Sequence, residues 1–316
     1  MLGQHMEAEL REQPDALLRN GTRYFSEARS MLAGRRFEMV LLAARGSSDH
    51  AALYARYLIE IHLGIPVSLA APSVITRYGR RIRYPRCLAI GISQSGAAPD
   101  VAEVISAMRA DRHCTLAITN TESSRLAKEA EHTLLLNVGE ERALAATKTY
   151  TASLLALHEL TRALGGDLPE SEGALPDEKW LQATRDAAEE GLGPVLRAGI
   201  LFSLARGYSF ASAHETALKM MECALLPCKS YSIADFEHGP KALAAHGSTS
   251  IVFDEPPDFL TQQGSLVVQA PRPAVPAPLA PIHDAFFGQW LALLAARARG
   301  LNADQVEHLQ KVTQTL

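Results

Sequence analysis

Short apolar runs recur through the first half of the chain, each closed by small or polar residues: 38–44 (EMVLLAA), 65–70 (IPVSLA), 87–92 (CLAIGI), 114–118 (CTLAI) and 133–137 (TLLLN). Apolar residues at helical spacing separate several of them. After the first run come Ala51, Ala52, Leu53, Ala55, Leu58 and Ile59, and similar stretches cover 99–110 and 122–131. A strand buried on both faces reads as a continuous apolar run, so strands alternating with helices predict a parallel sheet covered on both sides. Such a sheet offers a ligand crevice where strands end and helices begin. An Ala/Leu-rich helix is predicted from about 142 to 164, stopped by Gly165-Gly166. DLPESEGALPDEK then reads as a polar linker, followed by a helix around 177–190.

The pattern then restarts. GILFSLARGYSFASAHETALK repeats the design of MVLLAARGSSDHAALYARYL: an apolar strand, Ala-Arg-Gly, small polar residues and a helix, with Arg45 and Arg206 at matching points. This predicts a duplicated α/β unit. The second copy thins out afterwards. Its strand-like runs at 249–253 and 265–269 lie close together, and PRPAVPAPLAP (271–281) reads as an extended connector before a helix at 284–298. The expected organisation is an N-terminal helical segment at 1–34, a first unit at 35–166, a linker and helix at 167–194, a shortened second unit at 195–300, and a tail at 301–316.

Composition narrows the classes of function. A net charge of -4 over 316 residues gives no basic bias toward nucleic acid. No apolar run reaches the ~18 residues needed to cross a bilayer. MLGQHMEAELREQPDALL is amphipathic and lacks the apolar centre of a signal peptide, so the expected home is the cytoplasm. Cys87 and Cys114 open apolar strands, and Cys223 and Cys228 have the wrong spacing for a CxxC pair. Reduced, structural cysteines and no metal are expected.

The candidate chemistry starts at Ser93-Gln94-Ser95-Gly96, between a buried run and a helix. A strand-to-helix turn aims unpaired N–H groups outward, the helix dipole favours an anion, and glycine allows close backbone approach. Gly46-Ser47-Ser48 repeats the arrangement, and Ala146-Thr147-Lys148 adds a third small hydroxyl turn. Neither GxGxxG nor GxxxxGK[ST] is present, which favours a small phosphorylated metabolite over a dinucleotide or nucleoside triphosphate. In HETALKMMECALL, Glu215, Lys219 and Glu222 fall at i, i+4 and i+7 on one helix stripe. The stripe reads either as an exposed salt-bridge row or as a carboxylate and amine facing a pocket, with Glu222 a general base. His238 follows in FEHGPKAL, an imidazole on a His-Gly-Pro turn.

ARGSSDHAALYARYLIE, ISQSGAAPDV, AATKTYT, HETALKMMEC, FEHGPKAL and LQKVTQTL, in this order, resemble the sugar isomerase (SIS) family. The similarity is to the isomerase half of glucosamine-6-phosphate synthase and to SIS-type glucosamine-6-phosphate deaminases. The resemblance implies two tandem SIS subdomains, each a three-layer α-β-α, flavodoxin-like sandwich, and no cofactor. It implies that Ser47, Ser48, Ser93, Gln94, Ser95 and Thr147 surround a sugar phosphate and that Glu222 moves a proton between C1 and C2. It further implies Lys219 near the sugar, His238 as the ring opener supplied across a homodimer, and Lys311 on a tail that closes over the site. Two features depart from the family. Ala97-Ala98 replaces a Glu-Thr pair, and a family serine near Ala146 is absent. The two lost hydroxyls either weaken phosphate binding or are replaced by backbone and water, each net hydrogen bond being worth ~1 kcal/mol. No cysteine-headed glutaminase segment precedes the first unit, so the expected direction is deamination: glucosamine 6-phosphate to fructose 6-phosphate and ammonia. The expected alternatives are isomerisation or deamination of another phosphosugar, such as galactosamine 6-phosphate or a fructosamine adduct, and a non-catalytic phosphosugar sensor.

Overall fold

The computed structural model describes residues 1–311. It divides into two compact units, the first comprising Asp15–Glu140 and Lys148–Gly173, the second Met1–Pro14, Glu141–Thr147 and Ala174–Leu309. Helix α1 (Gln4–Met31) contributes residues to both.

The first unit runs β1 (Met39–Ala43), α2 (Ser47–His62), β2 (Val67–Leu69), α3 (Ser73–Thr76), β3 (Cys87–Ile92), α4 (Pro99–Ala110), β4 (Cys114–Thr119), α5 (Arg125–Glu129), β5 (His132–Leu135) and α6 (Lys148–Ala163). Its five strands are all parallel in the order β2-β1-β3-β4-β5, which is the flavodoxin-like arrangement. The strand order reverses between β1 and β3, which pair from Met39↔Cys87 to Ala43↔Gly91. Every residue of β3 and β4 is buried, as their unbroken apolar runs require. On one face Leu41 and Ala89 pack against Val101, Val104, Ile105 and Leu126. A Cβ at Gly91 would stand 2.7 Å from Leu126 and 2.8 Å from Ile105, so glycine lets α4 and α5 lie directly on the strand. Pro99 opens α4, where its missing N–H costs nothing, and Ser124 caps α5 by accepting the Ala127 N–H.

The second unit runs α7 (Glu178–Arg197), β6 (Ile200–Ala205), α8 (Phe210–Ala224), β7 (Cys228–Ser232), α9 (Ile233–Glu237), β8 (Ser248–Val252), α10 (Asp258–Gln262), β9 (Leu266–Gln269) and α11 (Ala280–Ala298). Its parallel sheet has the order β7-β6-β8-β9. That repeats the β2-β1-β3-β4 portion of the first sheet, with no fifth strand among the described residues, so the protein is a duplicated α/β fold with a shortened second copy. Phe286, Phe287 and Trp290 of α11 are completely buried.

Three local readings change. Helix α6 begins at Lys148 rather than near 142, because the Glu141 carboxylate takes the Thr147 N–H at 3.0 Å and its hydroxyl at 3.1 Å. The Glu9 carboxylate accepts the Arg142 and Ala143 N–H groups, so this stretch is held as an irregular turn. The proline-rich connector is shorter than expected: α11 starts at Ala280 and accommodates Pro281 in its first turn. CKSYS, not recognised as a strand, forms β7 at a sheet edge. Among the described residues no helix is long and apolar enough to cross a membrane.

Candidate functional site

In the first unit the turns after β1 and β3 leave the carboxyl ends of neighbouring strands at the point where the strand order reverses. Gly46, at φ 56°, turns the chain into α2, and Ser47 and Ser48 are the first residues of that helix, half-buried. After β3, Ser93 is buried while Gln94 and Ser95 are half-buried. The turn is held from several sides. Ser93 N–H donates to the Ile118 carbonyl at 3.0 Å, and the Gln94 carbonyl accepts the Asn120 N–H at 2.9 Å and the Thr119 hydroxyl at 3.2 Å. Gly96 sits at φ 61°, and a Cβ there would collide with Ser124 and stand 3.0 Å from Thr119, so only glycine fits. The structure thus places Ser47 and Ser48 on one turn and Ser93, Gln94 and Ser95 on the turn of the adjoining strand, and backbone donors at such strand-to-helix turns suit a small anion.

The sequence did not reveal what ties the two turns together. Arg45 Nε donates to the Asp100 carboxylate at 2.6 Å, and Asp100 is buried in the first turn of α4. The pair anchors the turn after β1 to the helix after β3. Burial raises the Asp49 carboxyl, two residues beyond Ser47, above the ordinary range, with the His50 and Arg45 charges opposing. Only the repeated Ala-Arg-Gly hinted at Arg45. Thr147 belongs to the second unit, fully buried, with its hydroxyl donated to Glu141.

In the second unit Glu215, Lys219 and Glu222 project from α8. The exposed salt-bridge reading of this stripe does not hold, since Lys219 is 1% exposed and Glu215 3%. Lys219 Nζ lies 3.4 Å from Glu215 and donates to Glu222 Oε2 at 2.5 Å, while the Glu222 side chain remains 30% exposed. Burial alone would lower the Lys219 ammonium, but the Glu215 and Glu222 carboxylates outweigh it and hold the pKa above its ordinary value. The result is a permanent buried cation behind a carboxylate that solvent can reach. Such a carboxylate can exchange a proton with a bound molecule, while the ammonium steadies negative charge.

His238 is exposed and ends α9, with its N–H on the Asp235 carbonyl. Gly239 follows at φ 144°, a conformation that glycine tolerates, and Pro240 opens the next turn. Lys311 is exposed at the end of the described residues, and positions 312–316 of the tail lie outside them. All four cysteines are free and buried. Burial pushes the Cys87, Cys223 and Cys228 thiols up to about 12, so they are neutral packing groups at ordinary pH.

The first unit thus carries hydroxyl-bearing turns where the strand order of a parallel sheet reverses, within a tandem α/β chain. Residues 35–163 match the SIS domain, and this part of the chain belongs to the SIS family. It is 31% identical over 316 residues to the isomerizing glutamine–fructose-6-phosphate aminotransferase of Pseudomonas syringae pv. tomato, covering 86% of this chain and 51% of that protein. This chain therefore spans about half the length of that relative. A candidate phosphosugar isomerase from Silicibacter pomeroyi superposes with TM-score 0.78 at 28% identity, covering 95% of this chain and 99% of that one. Glucosamine-6-phosphate deaminase from Thermotoga maritima has the same fold, with TM-score 0.74 at 24% identity over 95% and 100% of the two chains.

Proposed function

We propose that this protein is an aldose–ketose isomerase of sugar phosphates that acts on glucosamine 6-phosphate and releases ammonia. The observation that carries the reading is the α8 arrangement: a solvent-reachable Glu222 hydrogen-bonded at 2.5 Å to a wholly buried Lys219. A structural ion pair has no need for a buried cation under an accessible carboxylate, whereas a base that must take and return a carbon-bound proton does. The serine turns of the first unit supply a phosphate cradle of the required chemistry.

In this mechanism His238 moves the proton that opens the sugar ring, supplied across a homodimer as the family resemblance implies. Glu222 removes the proton from C2 and returns it to C1, which converts the aldose amine into a ketose imine. Lys219 stabilises the negative charge that develops on the enol-type intermediate. Water then adds to C2, the C–N bond breaks, and ammonia leaves with fructose 6-phosphate as the other product. Lys311 is assigned to the phosphate or the intermediate.

Incubation with fructose 6-phosphate and ammonium in deuterated water tests the proton-transfer step. Deuterium should enter at C1 of the ketose or C2 of the aldose, and Glu222→Gln should abolish that exchange while leaving phosphosugar binding largely intact. Exchange that persists in Glu222→Gln would remove Glu222 from the role, and tight binding without exchange in the unaltered protein would favour a phosphosugar sensor.

A further inference from the structure

At the opposite end of the first sheet from the serine turns, the amino ends of β4 and β5 bring together three side chains that the proposed reaction does not use. Cys114 opens β4, His132 opens β5 and Glu131 immediately precedes it. One ligand atom from each, the thiol sulfur, an imidazole nitrogen and a carboxylate oxygen, lies within 4.8 Å of the other two. The group is held by the fold: Glu131 N–H donates to Thr115 Oγ1 at 2.8 Å, which fixes it beside β4. Among the described residues His132 Nε2, shielded from solvent, has no hydrogen-bond partner, a costly state for an imidazole nitrogen. It lies 3.6 Å from Glu131 Oε1. Two ligands about 2.0–2.1 Å from a tetrahedral zinc are themselves roughly 3.3–3.4 Å apart, so closure requires only a small side-chain adjustment.

The geometry points to a divalent-cation site at Cys114, Glu131 and His132 that takes zinc. Thiolate and imidazole select a borderline-soft ion over magnesium or calcium, and three protein ligands leave one position for water. A cation already stands over the group: Arg35 holds the Glu131 carboxylate through both guanidinium nitrogens, at 2.6 and 3.2 Å. The Arg35 side chain is 36% exposed, so it can swing into solvent. Binding therefore exchanges charges in balance. The Zn–S bond forms as the thiol proton leaves to solvent, and Arg35 gives up Glu131 to the metal. A bound ion would staple β4 to β5 at the sheet edge, away from the anion crevice. The ligands are separated by 16 intervening residues between Cys114 and Glu131, a spacing that carries no zinc signature in the sequence.

The test is calorimetric titration of the chelator-stripped full chain with zinc chloride, with cobalt(II) as a spectroscopic probe. One zinc per chain and a thiolate-to-cobalt charge-transfer band are expected. Cys114→Ser and His132→Ala should each weaken binding by at least the ~10- to 100-fold that outer-shell partners of metal ligands are worth. Arg35→Ala should tighten it by removing the competing cation, and Cys87→Ser, on the neighbouring strand but outside the group, should leave it unchanged. Undiminished binding in Cys114→Ser, equal loss in Cys87→Ser, or weaker binding in Arg35→Ala would each overturn the assignment. None of these readouts depends on turnover, so they stand apart from the proposed reaction.

Discussion

Replacing Lys219 with Met keeps the length and shape of the side chain while deleting its charge. In the native protein Lys219 is 1% exposed and lies 3.4 Å from Glu215, itself 3% exposed, and 2.5 Å from Glu222. Glu222 reaches solvent and can be rehydrated after the change. Glu215 cannot, so its carboxylate must stay buried without the ammonium that neutralises it, or take up a proton. Removing one partner of a buried pair costs about 3–5 kcal/mol, because the remaining charge keeps its desolvation penalty and loses its compensation. Urea unfolding followed by circular dichroism measures this as a lower midpoint. The double variant Lys219→Met/Glu215→Gln removes both charges and should recover most of the loss, a coupling of several kcal/mol against the 0.5–3 kcal/mol roughly typical of neighbouring residues. The single variant should also destabilise less at acid pH, where Glu215 accepts a proton more readily. A cost below about 1 kcal/mol, or a double variant no better than the single one, would refute the buried-triad account.

Gly96→Ala places a methyl group against Ser124 and Thr119 in a left-handed turn, costing about 2–5 kcal/mol from backbone and overpacking together, and should weaken sugar-phosphate binding at least about tenfold by calorimetry. Unchanged affinity would dissociate that turn from the phosphate. Asp284 is fully buried, and burial raises its carboxyl to about 7 despite hydrogen bonds from Ser209 and Ser212. Folding therefore takes up a proton between about pH 4 and 7, so this group's contribution falls as pH rises through that window, by up to ~4 kcal/mol. Burial lowers His158 and His283 to about 4, so their contributions run the other way, lost as pH falls from about 6.5. The readout is accordingly the difference between the unaltered protein and Asp284→Asn, which should favour the variant increasingly from pH 5 to 8. A constant difference would contradict the buried-acid assignment.

The fold was legible wherever burial dictated the sequence. The strands at 87–92 and 114–119 are apolar throughout because both faces are covered, and the helix read at 99–110 begins at a proline and ends as expected. The polar strand β7 was missed because, at the sheet edge, it pairs only with β6 and leaves most of its residues partly exposed. The late start of α6 was invisible because it depends on Glu141 and Glu9, whose carboxylates take backbone donors that helical periodicity would have spent within the helix. At the candidate site, serines and glycines at strand ends were readable from local turn chemistry, and Glu215, Lys219 and Glu222 from their spacing. Their burial was not readable, since the same spacing serves an exposed row equally well. The Arg45–Asp100 clamp and the Cys114–Glu131–His132 group join residues brought together only by neighbouring strands.

The central claim is tested most directly by giving the purified protein glucosamine 6-phosphate and measuring ammonia and fructose 6-phosphate in parallel. The account predicts both products at equal rates, with both lost in Glu222→Gln. Phosphosugar interconversion without ammonia would contradict the deamination and leave a plain isomerase, and the absence of either product would contradict the reaction altogether.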